Sequence, residues 1–570
     1  MSLFCDLYSM AENKADISNE FKRDKWRSME YRTKLGEGIL LLTTYDGKTE
    51  PITLNINLND WHKIFIGFFY MNADNYSFIK LSGDEEYTPI KYFTNGSPHN
   101  WMCTEYMQEI FWKCADLTEQ KVILAKPEHF MPSVSGIAWI RCEEMTETEI
   151  ERYKRAESKP NKCVQMHIDI DSFLEDRSKE KTEHFAKFGM LKNTNASFCS
   201  LEYSMLYEKY PDKKDYVPLT SSQQYFTTGK YTYDEMFGKY LELSKDYNIP
   251  LFATERMSVA GFHMPITRPD MHSKFVLENE QFYCKNRDGS MLQVCSYAYN
   301  EVQDYVLARM VKMVKMGFKG VSMIFHRGIL IGFEQPVIDR FKEKYPDIDP
   351  HTLPVSDSRL HLVWCEFMTE FMQKVRKMLD SISEERIGIN VITNFGLQSS
   401  KNFGLDVETW AKEGLIDCVS QADMEIYEDL TDCMSEDNPE LIDLEKYKKR
   451  IEDYQVLRRN YGTDVEKVCK YIPEYAKLEE LYGVEVYHIL PWVHTMTAEN
   501  YIKAVERMQK CGAKRFLAWN TNHMTYNRPE FLIASSIGND IGTDAELKKF
   551  YKVLSLDNVN ISQAVPNWRG

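Results

Sequence analysis

Apolar residues along this chain follow two rhythms. Between about Arg32 and Glu147 they come in short runs, or alternate with polar residues, and turn-forming residues punctuate them. The runs are GILLLTTYDGKTEPITLNI, HKIFIGFFYM, YSFIKLS, TPIKYF, VILAKP and SGIAWIRC. Alternation with a period of two is the pattern of strands that bury one face. The pair Asp46-Gly47 suits the φ > 0 positions of a tight turn, so YDGK predicts a hairpin. Several short strands at this spacing predict a β-sandwich-like domain. The charged segment 146–161, closed by Pro160 and Asn161, predicts a domain boundary, dividing residues 1–157 from 158–570.

Beyond the boundary, compact strand-like runs alternate with longer amphipathic stretches. The predicted strands are CVQMHID (163–169), PLFATE (250–255), GVSMIFH (320–326), IGINVIT (387–393), IDCVSQA (416–422), VEVYHIL (484–490) and RFLAWN (515–520). Helical patterns fill residues 232–247, 301–317, 359–382, 407–414 and 497–512, and glycines at 317 and 512 supply left-handed C-terminal caps. Seven strands are visible, and an eighth is expected between Glu428 and Tyr482, which otherwise reads as helical and charged. The α/β repetition predicts a (β/α)8 TIM barrel from Cys163 to about Met524, with a C-terminal extension. An open doubly wound sheet is the alternative, but no GxGxxG or GxxxxGK[ST] follows a strand.

Composition narrows the function. With 43% hydrophobic and 27% charged residues the chain is an ordinary globular protein, and at 570 residues it exceeds one core. A formal net charge of −16, with no concentrated basic tract, disfavours nucleic acid and anionic lipid as partners. No apolar run approaches the roughly 20 residues that cross a bilayer. The first twenty residues lack a basic stretch followed by an apolar one, which predicts a cytoplasmic protein. The 13 cysteines have no metal-ligand or CxxC spacing and read as reduced thiols. The exposed N-terminal domain offers a surface for self-association.

In a barrel, chemistry gathers at the C-terminal ends of the strands. Alternation in CVQMHIDID puts His167, Asp169 and Asp171 on one side. Further along, Glu255 ends its strand, and His326, Arg327 and Glu334 occupy an otherwise apolar loop. Asn394 ends one strand, while Gln421, Asp423 and Glu425 end the next. The last two predicted strands contribute His488, Trp492 and His494, then Trp519, Asn520, Asn522 and His523. Aromatic faces with amides and imidazoles suit sugars, whose CH faces pack on rings while their hydroxyls hydrogen-bond. Asp171, Glu255, Glu334 and Asp423 are the candidate acids and bases, and each also suits a cap or an ion pair. Neither HExxH nor EF-hand spacing occurs, so no metal or other cofactor is expected.

A β-rich domain, then HIDID, GFKGVSMIFHRG, DPHTLPVSDSRLHLVW and WNTNH in order, resembles bacterial proteins described as glycoside-hydrolase-like barrels. The resemblance spans about Arg32 to Arg528 and implies a (β/α)8 fold with a pair of catalytic carboxylates. One departure stands out: Asn394 is followed by Phe395, and Pro491-Trp492 ends the penultimate predicted strand, where many retaining barrel glycosidases place glutamates. The expectation is therefore glycoside hydrolysis by two of the four candidate acids, acting on a carbohydrate. A metal-dependent sugar isomerase or epimerase and a non-catalytic carbohydrate-binding barrel are the alternatives.

Overall fold

The computed structural model describes residues 1–20, 22, 24–33, 36–42, 49–70, 76–85, 87–91, 107–125, 135–158, 162–169, 196–202, 233–257, 274–325, 330–354, 356–393, 396–422, 465–490, 498–519, 554–556 and 560–561. The N-terminal strands form two sheets. One contains Trp26–Thr33, Gly36–Leu42, Ser135–Glu144, Trp61–Tyr70 and Met107–Asp116 in that spatial order, with shorter strands at its margins. The other orders Ile52–Asn55, Lys121–Ala125, Tyr76–Leu81 and Thr88–Lys91. Alternate residues of each face the other sheet: Trp26, Ile64, Ile66, Trp112 and Ile140 meet Ile52, Leu54, Ile79, Val122 and Leu124 in one core. This is a β-sandwich.

Three features depart from the sequence reading. The Asp46-Gly47 turn lies outside the described residues, and the strands on either side of it, Gly36–Leu42 and Ile52–Asn55, belong to different sheets. A hairpin joins Trp26–Thr33 to Gly36–Leu42, with Thr33 opposite Gly36. The charged boundary segment is a helix, Glu147–Ser158. Its start is a capping box, in which the Glu149 amide donates to Thr146 Oγ1 (3.3 Å) and the Thr146 amide donates to Glu149 Oε2 (2.8 Å). The C-terminal extension returns to the first sheet, where Leu554–Leu556 pairs with Met107–Asp116 and Asn560–Ile561 with Trp26–Thr33.

The second part is a closed barrel of eight parallel strands. They are β1 (Val164–Asp169), β2 (Ala196–Glu202), β3 (Leu251–Arg256), β4 (Gly320–Ile324), β5 (Gly388–Thr393), β6 (Cys418–Gln421), β7 (Glu485–Ile489) and β8 (Phe516–Ala518). The helices include α1 (Tyr233–Asp246), α2 (Asn300–Met316), α3 (Gln335–Lys344), α4 (Ser358–Ile382), α5 (Val465–Tyr482) and α6 (Ala498–Lys510). The expected barrel is present, but its remaining strand is β2, whereas the stretch proposed to hide it carries α5. Following the ladder from Asp169 through Glu202, Thr254, Ser322, Asn390, Cys418 and Glu485 returns to the first strand eight residues below the start. That offset is the shear of a TIM barrel.

Parity along each strand separates the axis from the helix layer. On β4, Val321 and Met323 pack with Val302, Val306 and Met310 of α2 and Phe371 of α4, while Ser322 lies on the axis. Low on the axis Phe198 stacks on Phe252 (centroids 4.3 Å apart) and meets Tyr487 edge-on (5.4 Å). Gly388 makes room for this packing, because a Cβ there would lie 2.4 Å from the Phe252 ring.

Above the aromatic layer, Gln165, Ser200, Ser322, Asn390 and Ser420 meet, and all five are fully buried. Gln165 Nε2 donates to Ser200 Oγ (2.8 Å), Ser200 Oγ reaches Ser322 Oγ (3.4 Å), the Asn390 amide contacts Ser322 Oγ (2.6 Å) and Ser420 Oγ (2.9 Å), and Ser420 closes on Gln165 Oε1. Ser420 has one hydroxyl proton, so it cannot donate to both amide oxygens at once. Turning the Asn390 amide over resolves this, since its N–H then donates to Ser420 and its oxygen accepts from Ser322. Each proton of the ring then has one acceptor, running one way round.

Ser420→Ala should therefore cost about 1–3 kcal/mol, because it strips partners from two buried amides. Urea unfolding measures this, and an unchanged midpoint would contradict the ring.

Candidate functional site at the barrel mouth

The C-terminal end of the axis begins one step above the polar ring. His167, two residues beyond Gln165 on β1, lies flat on Trp519, which directly follows β8; the ring centroids are 3.8 Å apart and the planes 5° apart. Both rings are buried. The closing of the barrel brings them together, since β1 and β8 pair in parallel through Gln165 and Leu517. Thr254 and Arg256 of β3 are also buried at this level.

Two acidic positions continue the same register. Asp169 on β1 pairs with Glu202 on β2, and Glu202 pairs in turn with Thr254 on β3. Asp169 and Glu202 are thus neighbours on adjacent strands, on the parity that places Gln165, His167 and Ser200 on the axis. Glu202 was not among the residues singled out from the sequence because its strand was missed. The available signal was the alternation of Phe198, Ser200 and Glu202 with Cys199 and Leu201.

Four predicted site residues occupy other places. Glu255 is on the helix-facing side of β3, where Arg309 Nε of α2 donates to its carboxylate at 3.1 Å. This pair is almost wholly buried, so Glu255 is not a residue of the mouth. Glu334 precedes α3, fully buried; its two oxygens accept the amides of Lys285 (2.9 Å) and Gly332 (2.9 Å). Burial pushes its carboxyl up from the ordinary range, against the pull of those amides. It pins the hairpin of Tyr283–Lys285 and Met291–Cys295 to the loop after β4.

Gln421 and His488 also face helices rather than the axis. They are register partners on β6 and β7; His488 Nδ1 meets Gln421 Oε1 at 2.6 Å, and Gln421 Nε2 donates to the Val468 carbonyl of α5. Tyr475 of α5 covers the imidazole edge-on. Burial pushes the His488 pKa down to about 3, so the ring is neutral and its Nδ1–H is the donor. Asp171, His326, Arg327, Asn394, Asp423, Glu425, Trp492, His494, Asn520, Asn522 and His523 lie outside the described residues. Among the described residues no group of three His, Cys, Asp or Glu side chains is placed to hold a metal ion, and no helix is long and apolar enough to cross a membrane.

No family model matches the sequence, and no curated protein matches it. Solved structures similar to the chain include an α-galactosidase from Thermus thermophilus (8% identity, 92% of this chain and 94% of that one, TM-score 0.35). A noncanonical maltogenic α-amylase from Thermotoga neapolitana is 11% identical over 65% of this chain and 69% of that one, with a TM-score of 0.32. The glycoside hydrolase domain of PelA from Pseudomonas aeruginosa is 9% identical over 62% and 94%, with a TM-score of 0.31. Likenesses at this level carry no argument about chemistry. The strand pairing itself defines the class: a (β/α)8 barrel with an N-terminal β-sandwich.

Two outcomes test these placements. Glu255→Gln should lower stability, since unpairing a buried ion pair costs on the order of 3 kcal/mol; an unchanged urea midpoint would contradict the buried pair. His488 has a folded pKa below its unfolded value of 6.5, so the unfolded chain takes up a proton first and the fold loses stability as pH falls from about 6.5 towards 3. Between pH 6 and 4 the unfolding free energy of the native chain should fall by up to about 1.4 kcal/mol per pH unit more than that of His488→Gln. Parallel slopes would show that His488 is not buried neutral.

Proposed function

We propose that the protein is a glycoside hydrolase whose active centre is the C-terminal mouth of the barrel. The observation that carries this reading is the register pairing of Asp169 with Glu202, one step beyond the His167–Trp519 stack and on the axial parity. Adjacent strands lie about 4.8 Å apart. Two carboxylates borne at that spacing suit the roughly 5–5.5 Å separation of retaining enzymes, in which one attacks the sugar and the other protonates the leaving oxygen.

In this reading Arg256, at the end of the next strand, keeps one carboxylate ionised, and the other holds the proton because two like charges cannot both form so close together. The stacked His167 and Trp519 form a rigid base on which a sugar ring rests. The ligand is a neutral or cationic glycan, in keeping with the chain's formal charge of −16.

The test is hydrolysis of a panel of aryl α- and β-glycosides, with and without EDTA, by the native chain, Asp169→Asn and Glu202→Gln. The reading predicts EDTA-insensitive release with retention of configuration, reduced roughly 10³-fold in each variant. Full activity in both variants would remove the pair from catalysis, and EDTA-sensitive turnover would place a metal in the mechanism.

A further inference from the structure

Helices α5 and α6, which precede β7 and β8, run side by side and meet through three successive pairs. Arg507 donates from Nε and Nη2 to the Glu466 carboxylate (2.9 Å each). One turn further along α5, Cys469 lies beside Cys511. A Cβ on Gly512 would touch Ile472 Cγ2 at 3.8 Å. Residues 466, 469 and 472 line one face of α5, and their partners ascend in the same direction, so the two thiols sit on a seam fixed above and below. Arg507 Nη1 also donates to Cys511 Sγ at 3.3 Å. Cys469 is buried, while Cys511, just past α6, is partly exposed. By contrast Cys199, Cys284, Cys295 and Cys418 are all buried.

We propose that Cys469 and Cys511 form a redox-modification site that closes a disulfide between α5 and α6 when the protein meets a peroxide. Cys511 sulfur, the more accessible, attacks one oxygen of hydrogen peroxide. The O–O bond breaks, an S–O bond forms, and the departing hydroxide takes the thiol proton as water, with the Arg507 guanidinium beside the sulfur to stabilise it. Cys469 sulfur then attacks the sulfenic sulfur. The S–O bond breaks, the S–S bond forms, and a second water leaves with the Cys469 proton. Two thiols lose two electrons, and one peroxide gains them. Burial pushes the Cys469 thiol up to about 12, so it waits in the protonated form and resolves the sulfenic acid rather than reacting first.

The test uses the full chain, treated with hydrogen peroxide, alkylated, and mapped by non-reducing proteolysis and mass spectrometry. The proposal predicts loss of two titratable thiols, a crosslinked Cys469–Cys511 peptide as the dominant disulfide, and its absence in Cys511→Ser. In Cys469→Ser, dimedone should trap a sulfenic acid on Cys511. Free, alkylated Cys469 and Cys511 after peroxide treatment of the native chain would overturn it, and so would a Cys469→Ser protein whose dimedone adducts fall on other cysteines.

Discussion

Five polar side chains on the barrel axis have to satisfy one another, because each is fully buried and each comes from a different strand. Gln165, Ser200, Ser322, Asn390 and Ser420 do so as a single ring. A slip of one residue on any of these strands would turn its ring member towards the helices and leave the others short of a partner. The ring thus fixes the relative heights of β1, β2, β4, β5 and β6. Below it, the Phe198, Phe252 and Tyr487 cluster fills the axis. Above it, the same register sets His167 on Trp519 and Asp169 beside Glu202.

The barrel also uses polar groups on its outer face, where they serve a different purpose. Glu255 pairs with Arg309 of α2, and Gln421, bonded to His488 on the next strand, donates to the Val468 carbonyl of α5. Glu334 does the same for an inserted hairpin by accepting two backbone amides. These arrangements tie the helices and the hairpin to the sheet, while Asp169 and Glu202 share the axial register at the mouth.

Much of the architecture was legible in the sequence, because period-two strands alternating with capped amphipathic helices leave few alternatives. Gly317 closes α2 in the left-handed conformation, as its place in the pattern implied. The missing strand was misplaced for a physical reason: Ala196–Glu202 mixes Ser and Cys with apolar residues and so lacks a compact apolar run, whereas the stretch ending in α5 offered more unassigned text. The helix accommodates Pro473 in its interior. Assignment of the site was poorer. Parity was judged from which side looked polar, and that rule fails where a polar pair is satisfied under a helix, as at Gln421 and His488. Nor could local text show that Arg309, 54 residues after Glu255, or the amide of Lys285, 49 residues before Glu334, would supply the partner.

The most direct test of the account is covalent trapping. The native chain would be incubated with a series of 2-deoxy-2-fluoro glycosyl fluorides, and any glycosyl ester mapped by mass spectrometry. The account predicts an ester on Asp169 or Glu202, the two acids that share a register at the mouth. An ester on Glu255, on Glu334 or on any carboxylate away from the mouth would contradict it.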